Sequence, residues 1–138
     1  MAYKHLFIDS HILLDLLLKR DPFYYYVQAL LIESKKQNMQ LSTSALAIAN
    51  VNYILIKQTG AAEARKKIKD LIAVLKILPF ESNIIELGID SHFSDLEDAF
   101  QYFIAKANNC DIILTRNIKD YKQATIPVLT AEQFLRQL

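Results

Sequence analysis

The chain alternates between short apolar runs and longer segments in which apolar residues recur every three or four positions. The short runs are typical of β-strands, and the longer segments have the period of amphipathic helices. Strands are predicted at residues 4–9, 39–42, 76–79, 111–115 and 126–129. Two helices are predicted in each of the first two intervals between strands. This alternation indicates right-handed βαβ units. We therefore predict an α/β fold, a three-layer α/β/α domain with a central parallel sheet of four to five strands.

Capping signals predict where several helices begin. Asp21 precedes Pro22 and is predicted to be the N-cap of the second helix, with the proline at the first helical position. Ser94 and Glu97 have the spacing of a capping box, in which each side chain accepts a backbone N–H of the first turn. Residues 130–133 repeat that pattern before the last helix. The capping box gives Glu97 a structural role.

The composition indicates one globular domain spanning residues 1–138. Hydrophobic residues make up 52% of the chain, which is enough for a core and argues against disorder. No apolar stretch has the length of a transmembrane helix, and the chain begins with a strand rather than a signal peptide. The single cysteine, Cys110, excludes an internal disulfide. We expect a cytoplasmic protein without membrane association.

Charge and glycine content limit how the chain can bind phosphate. The net charge is +1, so any contact with nucleic acid must come from local patches. Two glycines are too few for the common Gly-rich phosphate loops. Arg116 and Lys119 lie in the polar loop after the fourth strand and are candidates for phosphate contacts. A solvated loop explains both residues equally well.

Acidic and hydroxyl side chains follow the ends of two predicted strands. Asp9 follows the first strand, and Thr115 and Asp120 follow the fourth. Asp95 and Asp98 begin the helix that precedes the fourth strand. Because parallel strands end at the same edge of a sheet, where sites of open α/β sheets form, these side chains are expected to converge.

The spacing of these acids leaves two interpretations open. Asp95 and Asp98 are three residues apart on one helix face, where like charges repel and a bound cation turns the repulsion into attraction. With Asp9 they would supply the carboxylate oxygens that Mg²⁺ prefers, and such a metal activates water against a phosphodiester. Alternatively, the acids cap helices or lie on the surface. Ser10 and Thr115 have the same two readings, as contacts to water or phosphate or as structural hydroxyls.

The chain resembles the PIN domain family, in the manner of VapC-type toxin ribonucleases. The resemblance rests on Leu-Phe-Ile-Asp-Ser at residues 6–10, Ser-Thr-Ser-Ala at 42–45, Asp-Leu-Glu-Asp-Ala at 95–99 and Ile-Leu-Thr-Arg-Asn-Ile-Lys-Asp-Tyr at 113–121. These motifs follow the family order over residues 4–138. The resemblance implies a site in which about four acids surround Mg²⁺ or Mn²⁺ and RNA is hydrolysed.

Carried over by position, the resemblance assigns two family acids to Asp9 and Asp98. The places of the other two are occupied by amides, Asn50 and Asn117. An amide oxygen can bind Mg²⁺ but brings no charge. Two neighbouring acids, Asp95 and Asp120, are expected to supply the negative charge that the amides lack. Each lies within about one helical turn of a family position.

The main functional hypothesis is a metal-dependent endoribonuclease. Its catalytic set is Asp9, Asp95, Asp98, Thr115 and Asn117. Its metal ligands are the four aspartates at positions 9, 95, 98 and 120, with Ser10, Asn50, Arg116 and Lys119 as secondary candidates. Because relatives pair with an antitoxin and often dimerise, the resemblance implies an antitoxin protein, a second copy and RNA as partners.

Two alternatives come from other classes. The two amides suggest a catalytically weakened or inactive PIN-fold module that binds RNA or protein. A receiver domain or a haloacid-dehalogenase-like phosphatase is also doubly wound. However, only Asp9 stands where a receiver needs an acidic pair, and His11 stands where the phosphatase needs a second Asp.

Overall fold

The computed structural model describes residues 3–138 and contains one five-stranded parallel sheet, as predicted. The strand order is β3-β2-β1-β4-β5, and every neighbouring pair is parallel. The first strand in the sequence, β1, is therefore the central strand of the sheet. The strands are β1 (His5–Ile8), β2 (Gln40–Ser44), β3 (Lys76–Leu78), β4 (Ile112–Leu114) and β5 (Val128–Leu129).

Helices cover both faces of the sheet. Two of them connect β1 to β2 and two connect β2 to β3, as the hydrophobic period predicts. The helices are α1 (Ser10–Leu17), α2 (Phe23–Lys36), α3 (Ala45–Thr59), α4 (Ala61–Ile72), α5 (Ser82–Ile89), α6 (Leu96–Ala107) and α7 (Ala131–Leu135), with a 3₁₀ helix at Ile118–Tyr121. Within residues 3–138, no helix combines the length and apolar character needed to cross a membrane.

The sheet separates two hydrophobic clusters, which gives the predicted three layers. Successive side chains of a strand point to opposite faces. Leu6 and Ile8 of β1 accordingly pack in one cluster, with α1 to α4 and α7. Phe7 packs in the other, with α5 and α6. Both clusters are buried, so β1 and β4 are apolar on both faces, as expected for interior parallel strands.

The helix caps agree with the sequence in part. Ser44 caps α3 by accepting the N–H of Ala47, and the predicted capping box at the start of α7 forms between Thr130 and Gln133. The prediction for α2 is wrong, because its N-cap is Pro22 rather than Asp21. The N–H of Tyr24 in the first turn donates to the Arg20 carbonyl at 2.8 Å. The Arg20 carbonyl therefore accepts the N–H that the Asp21 side chain was predicted to accept.

Candidate active site

Asp9 lies where β1 leads into α1, and its carboxylate is held from two sides. Oδ1 accepts the backbone N–H of Ser10 at 2.8 Å, so Asp9 is the N-cap of α1. Oδ2 accepts the Thr115 hydroxyl at 2.7 Å. The residue is only 6% exposed, so these bonds fix its orientation. A carboxylate oxygen has about two lone-pair sites, so Oδ2, which accepts one hydrogen bond, can still accept a further partner.

The end of β4 supplies the support for Asp9. The N–H of Asp9 donates to the Leu114 carbonyl at 3.0 Å, which extends the pairing of β1 and β4 by one residue. Thr115 is fully buried and also accepts the backbone N–H of Asn117 at 3.1 Å. Asn117 therefore joins the site through its main chain. Ser10 is also buried, with its hydroxyl 3.5 Å from Asp9 Oδ1.

The start of α6 brings a second group of acids to the same edge. Asp95 is the N-cap of this helix and accepts the N–H of Asp98 through Oδ1 at 3.0 Å. The predicted capping box between Ser94 and Glu97 is therefore wrong. Aspartate is as good an N-cap as serine, and here it satisfies the third N–H of the helix, which leaves Ser94 outside. This shift of one residue frees Glu97 from a capping role.

Glu97 is a site residue that the sequence prediction missed. Its Oε1 accepts the side-chain amide of Asn50 at 2.7 Å, between α6 and α3. The position that the resemblance gives to an acid thus holds an amide that binds a neighbouring acid. The sequence could have indicated Glu97 if Asp95 had been considered as the N-cap of α6 in place of Ser94. Glu97 then has no capping role and stands beside the candidate ligand Asp98.

Burial and neighbouring charges raise the pKa values of two of these acids, Asp98 and Glu97. Partial burial raises the pKa of Asp98 to about 7, with further contributions from the charges of Asp95, Asp9, Asp120 and Glu97. Burial also raises the pKa of Glu97, followed by the charges of Asp95 and Asp9. The charges of Asp9, Asp95 and Asp120, which were predicted to converge with Asp98, therefore act on it through space. Their mutual repulsion favours a bound cation.

The donor chemistry of the site fits a divalent cation. Carboxylate oxygens suit Mg²⁺ and Mn²⁺, and Mg²⁺ sites typically use one or two carboxylates with several waters. Across residues 3–138, no three Asp, Glu, His or Cys side chains already form a complete ligand set. The two carboxylates that could supply this smaller set are Asp9, whose oxygens are held by hydrogen bonds, and Asp98, whose pKa is raised.

Arg116 has a partner that the sequence did not indicate. Its Nε lies 3.1 Å from Oδ2 of Asp15, a carboxylate of α1 that is only 1% exposed. Arg20 approaches the other oxygen of Asp15 at 3.8 Å, and the Arg116 guanidinium stacks 4.2 Å above the Phe23 ring. Burial raises the pKa of Asp15, and the charges of Arg116 and Arg20 oppose that rise. A phosphate contact by Arg116 stays a prediction.

Lys119 and Asp120 are the exposed residues of the 3₁₀ helix and lie beside a surface cleft of about 300 Å³. Its lining residues are His92, Phe93, Ser94, Lys119, Asp120, Lys122 and Gln123. The cleft therefore joins the 3₁₀ helix to the segment just before α6. A larger cavity, about 990 Å³, lies near the amino-terminal ends of β2 and β3, away from the acids. Cavity size alone does not mark the acidic site.

The fold and the acidic edge of the sheet define a PIN domain. The model of the PIN domain family matches residues 5–119, and the chain belongs to this family. It is 34% identical over 140 residues to Ribonuclease VapC1 of Aquifex aeolicus, covering 97% of this chain and 95% of that protein. The predicted resemblance is confirmed, and the receiver and phosphatase alternatives are excluded.

Solved structures share the fold at low sequence identity. DNA-bound VapBC from Salmonella typhimurium superimposes with a TM-score of 0.71 at 12% identity, covering 93% of this chain and 98% of that one. A toxin–antitoxin complex from Klebsiella pneumoniae gives a TM-score of 0.68 at 21% identity, with coverages of 91% and 97%. The three-layer architecture is therefore that of known PIN-type folds.

Proposed function

We propose that this chain is a metal-dependent endoribonuclease and the toxin of a type II toxin–antitoxin pair. The observation that carries the proposal is the group of acids around Asp98, whose pKa their charges help to raise. Such a group is unfavourable alone and favourable around a cation. The 34% identity with Ribonuclease VapC1 supports RNA as the substrate.

Asp9 and Asp98 would hold Mg²⁺ or Mn²⁺, with Asp95, Asp120 and Glu97 adding negative charge. When bound, the cation would lower the pKa of water and stabilise charge on the phosphate. Ser10 and Thr115 keep the Asp9 carboxylate in one orientation through their bonds to Oδ1 and Oδ2. Fixing a ligand in this way avoids reorganisation during the reaction.

The rest of the mechanism uses the chain's own polar groups. Asn50 holds Glu97 at Oε1, and Oε2 would accept a proton from the attacking water. That water would attack phosphorus in line, without a covalent enzyme intermediate, while the P–O bond to the leaving ribose oxygen breaks and that oxygen takes a proton from solvent. Lys119 and Lys122 line the cleft beside Asp120 and would contact the phosphates of the RNA. An RNA substrate is consistent with a cytoplasmic protein.

Two exposed apolar surfaces support protein partners. One is a groove of about 460 Å³ between α3 and α4, lined by Ile48, Ile68 and Ile72 among others. Such a groove suits an amphipathic segment, and we assign it to the antitoxin. The other surface, at α5 and the start of α6, exposes Ile85, Leu87, Ile89 and Leu96. Ile85 and Ile89 lie one helical turn apart on the same face of α5, and we assign this exposed apolar surface to a second copy in a homodimer.

The second candidate function is a PIN-fold module that binds RNA or protein without cleaving it. The amides Asn50 and Asn117 favour it, because they lower the charge available to a cation. The bond between Asn50 and Glu97 favours the enzyme, because it adds a carboxylate near the same place.

Metal titration of wild-type protein and the Asp9→Asn variant separates these functions. Asparagine also caps helices well, so the variant is expected to fold. For the enzyme, Mg²⁺ raises the melting temperature of the wild type, with a much smaller rise in the variant, and only wild type cleaves RNA. Asp70→Asn, on the exposed face of α4, is the control and should behave as wild type. If added Mg²⁺ changes neither the melting temperature nor the RNA turnover of the wild type, the chain is the binding module.

A further inference from the structure

Two arginines converge on one buried carboxylate of α1. Arg116 Nε lies 3.1 Å from Oδ2 of Asp15, and Arg20 Nη1 lies 3.8 Å from its Oδ1. A buried carboxylate is unfavourable unless cations pair with it, so the charge of Asp15 holds both guanidinium groups at this place. The three side chains carry two positive charges and one negative charge. One positive charge is therefore left over to attract an anion.

The fold does not use the N–H groups of these two guanidinium groups. Within residues 3–138, neither Arg20 nor Arg116 donates a side-chain hydrogen bond, and the contact of Arg116 Nε with Asp15 lacks hydrogen-bond alignment. The two arginine side chains are 35% and 31% exposed, so an incoming group can reach them. The Phe23 ring lies 4.2 Å below the Arg116 guanidinium and supports its plane. Each guanidinium has five N–H donors in a planar fork that matches the oxygens of a phosphate.

The chain places this arginine pair next to the acidic site. Arg116 directly follows Thr115, whose hydroxyl donates to Asp9 Oδ2 at 2.7 Å. The Arg116 side chain reaches α1, on the face of the sheet that α1 to α4 cover. Lys119 and Lys122 line the cleft beside the segment before α6, towards the other face. Positive groups therefore flank the carboxylates on both sides of the sheet edge.

We propose that Arg20 and Arg116, held by Asp15, form a subsite for one phosphate of the RNA substrate, neighbouring the phosphate that is cleaved. This inference rests on the proposed function. A phosphate at this place accepts hydrogen bonds from both guanidinium groups and neutralises their excess positive charge. Asp15 is a positioning residue that does not touch RNA. Because phosphate contacts position a strand without reading its bases, the subsite serves RNA of any sequence.

The test measures the binding of labelled single-stranded RNA by fluorescence anisotropy in EDTA, over a range of salt concentrations. Arg20→Gln should reduce the slope of log affinity against log salt by about 0.7, because one phosphate contact is lost. Arg136→Gln is the matched control. It also removes an arginine that is paired with a carboxylate, that of Glu132, but this pair lies on α7 and at its end. The control should keep the wild-type slope.

Asp15→Asn separates positioning from charge. The substitution removes a negative charge, so simple attraction predicts tighter binding of RNA. We expect binding about 10-fold weaker instead, because the guanidinium groups lose the partner that holds them and their charge-assisted hydrogen bonds to phosphate are lost. Circular dichroism checks the fold of each variant, and Arg20→Gln still tests the subsite if Asp15→Asn does not fold.

Three results would overturn the inference. A wild-type slope in Arg20→Gln would assign the arginines to the fold or to a carboxylate of a protein partner, and the proposed function would stand. Tighter RNA binding by Asp15→Asn would show that Asp15 only weakens the local positive charge and holds no subsite. If the wild type neither binds RNA nor cleaves it with Mg²⁺, the proposed function fails and this inference fails with it.

Discussion

At the scale of single residues, Asp9 is the N-cap of α1 and, in the proposed function, also a metal ligand, two roles that the sequence presents as alternatives. Its Oδ1 caps α1 through the N–H of Ser10, and its Oδ2 receives the Thr115 hydroxyl. Oδ2 has a further lone pair for a cation, so capping through Oδ1 and metal binding through Oδ2 do not compete. The cap also makes the carboxylate rigid, which a metal ligand requires.

The Thr115 hydroxyl should matter more for activity than for stability. Thr115→Val removes the bond to Asp9, and we expect Mg²⁺-dependent RNA cleavage to fall about 10-fold. Thr43→Val is the control, because that buried hydroxyl donates to the Ile8 carbonyl at 2.7 Å instead. Both variants should lose roughly 1–3 kcal/mol of unfolding free energy in urea. Equal cleavage rates in the two variants would argue against the role of Thr115.

Asp98 should make metal-free protein less stable as the pH rises from about 4 to about 7. The folded-state pKa is about 7, against an ordinary value of 3.8. Between those values the native state keeps a proton that the unfolded state has lost, so stability falls with rising pH. Urea unfolding in EDTA across that range should show this slope for the wild type and a weaker one for Asp98→Asn. An unchanged slope in the variant would contradict the raised pKa.

At the scale of elements, the hydrophobic period predicted the strands, the helices and their order. It also predicted the convergence of Asp9, Asp98 and Asp120, because parallel strands share one carboxyl edge. The contacts it missed join elements distant in sequence. Two such contacts are the hydrogen bond between Asn50 and Glu97 and the ion pair between Asp15 and Arg116. No local sequence pattern predicts either contact. The one-residue error in the cap of α6 hid Glu97, because Asp95 and Ser94 are equally good caps.

The ion pair between buried Asp15 and partly exposed Arg116 should anchor the loop after β4 to α1. Arg116→Ala leaves Asp15 buried with only Arg20, at 3.8 Å, as a partner. We expect a loss toward the lower end of roughly 3–5 kcal/mol in urea unfolding. Lys67→Ala, which breaks an exposed pair with Glu63 on α4, should lose less than about 1 kcal/mol. Equal midpoints for the two variants would show that the buried pair adds nothing.

At the scale of the whole molecule, the charge is nearly balanced, with a net value of +1. The proposed RNA substrate would therefore depend on local cations close to the acids. Lys119 and Lys122 line the cleft next to Asp120 and place positive charge beside the negative site. In the proposed function, this arrangement would attract the RNA backbone on either side of the phosphate that reacts.

Lys119→Ala should weaken RNA binding with little regard to sequence. Losing one phosphate contact should reduce the slope of log affinity against log salt by about 0.7. Fluorescence anisotropy with labelled single-stranded RNA in EDTA measures this without cleavage. Lys57→Ala, on the exposed side of α3, is the control and should keep the wild-type slope. A wild-type slope in Lys119→Ala would remove that residue from the RNA path.

RNA cleavage in Mg²⁺, Mn²⁺ or EDTA, by wild type, Asp98→Ala and the surface control Asp70→Ala, tests the metal-dependent site most directly. We predict that wild type and Asp70→Ala cleave with either metal and that EDTA abolishes cleavage. Asp98→Ala should lose at least about 100-fold, because losing a ligand exceeds the effect of disturbing its support. Equal cleavage in all of these conditions and variants would contradict the account.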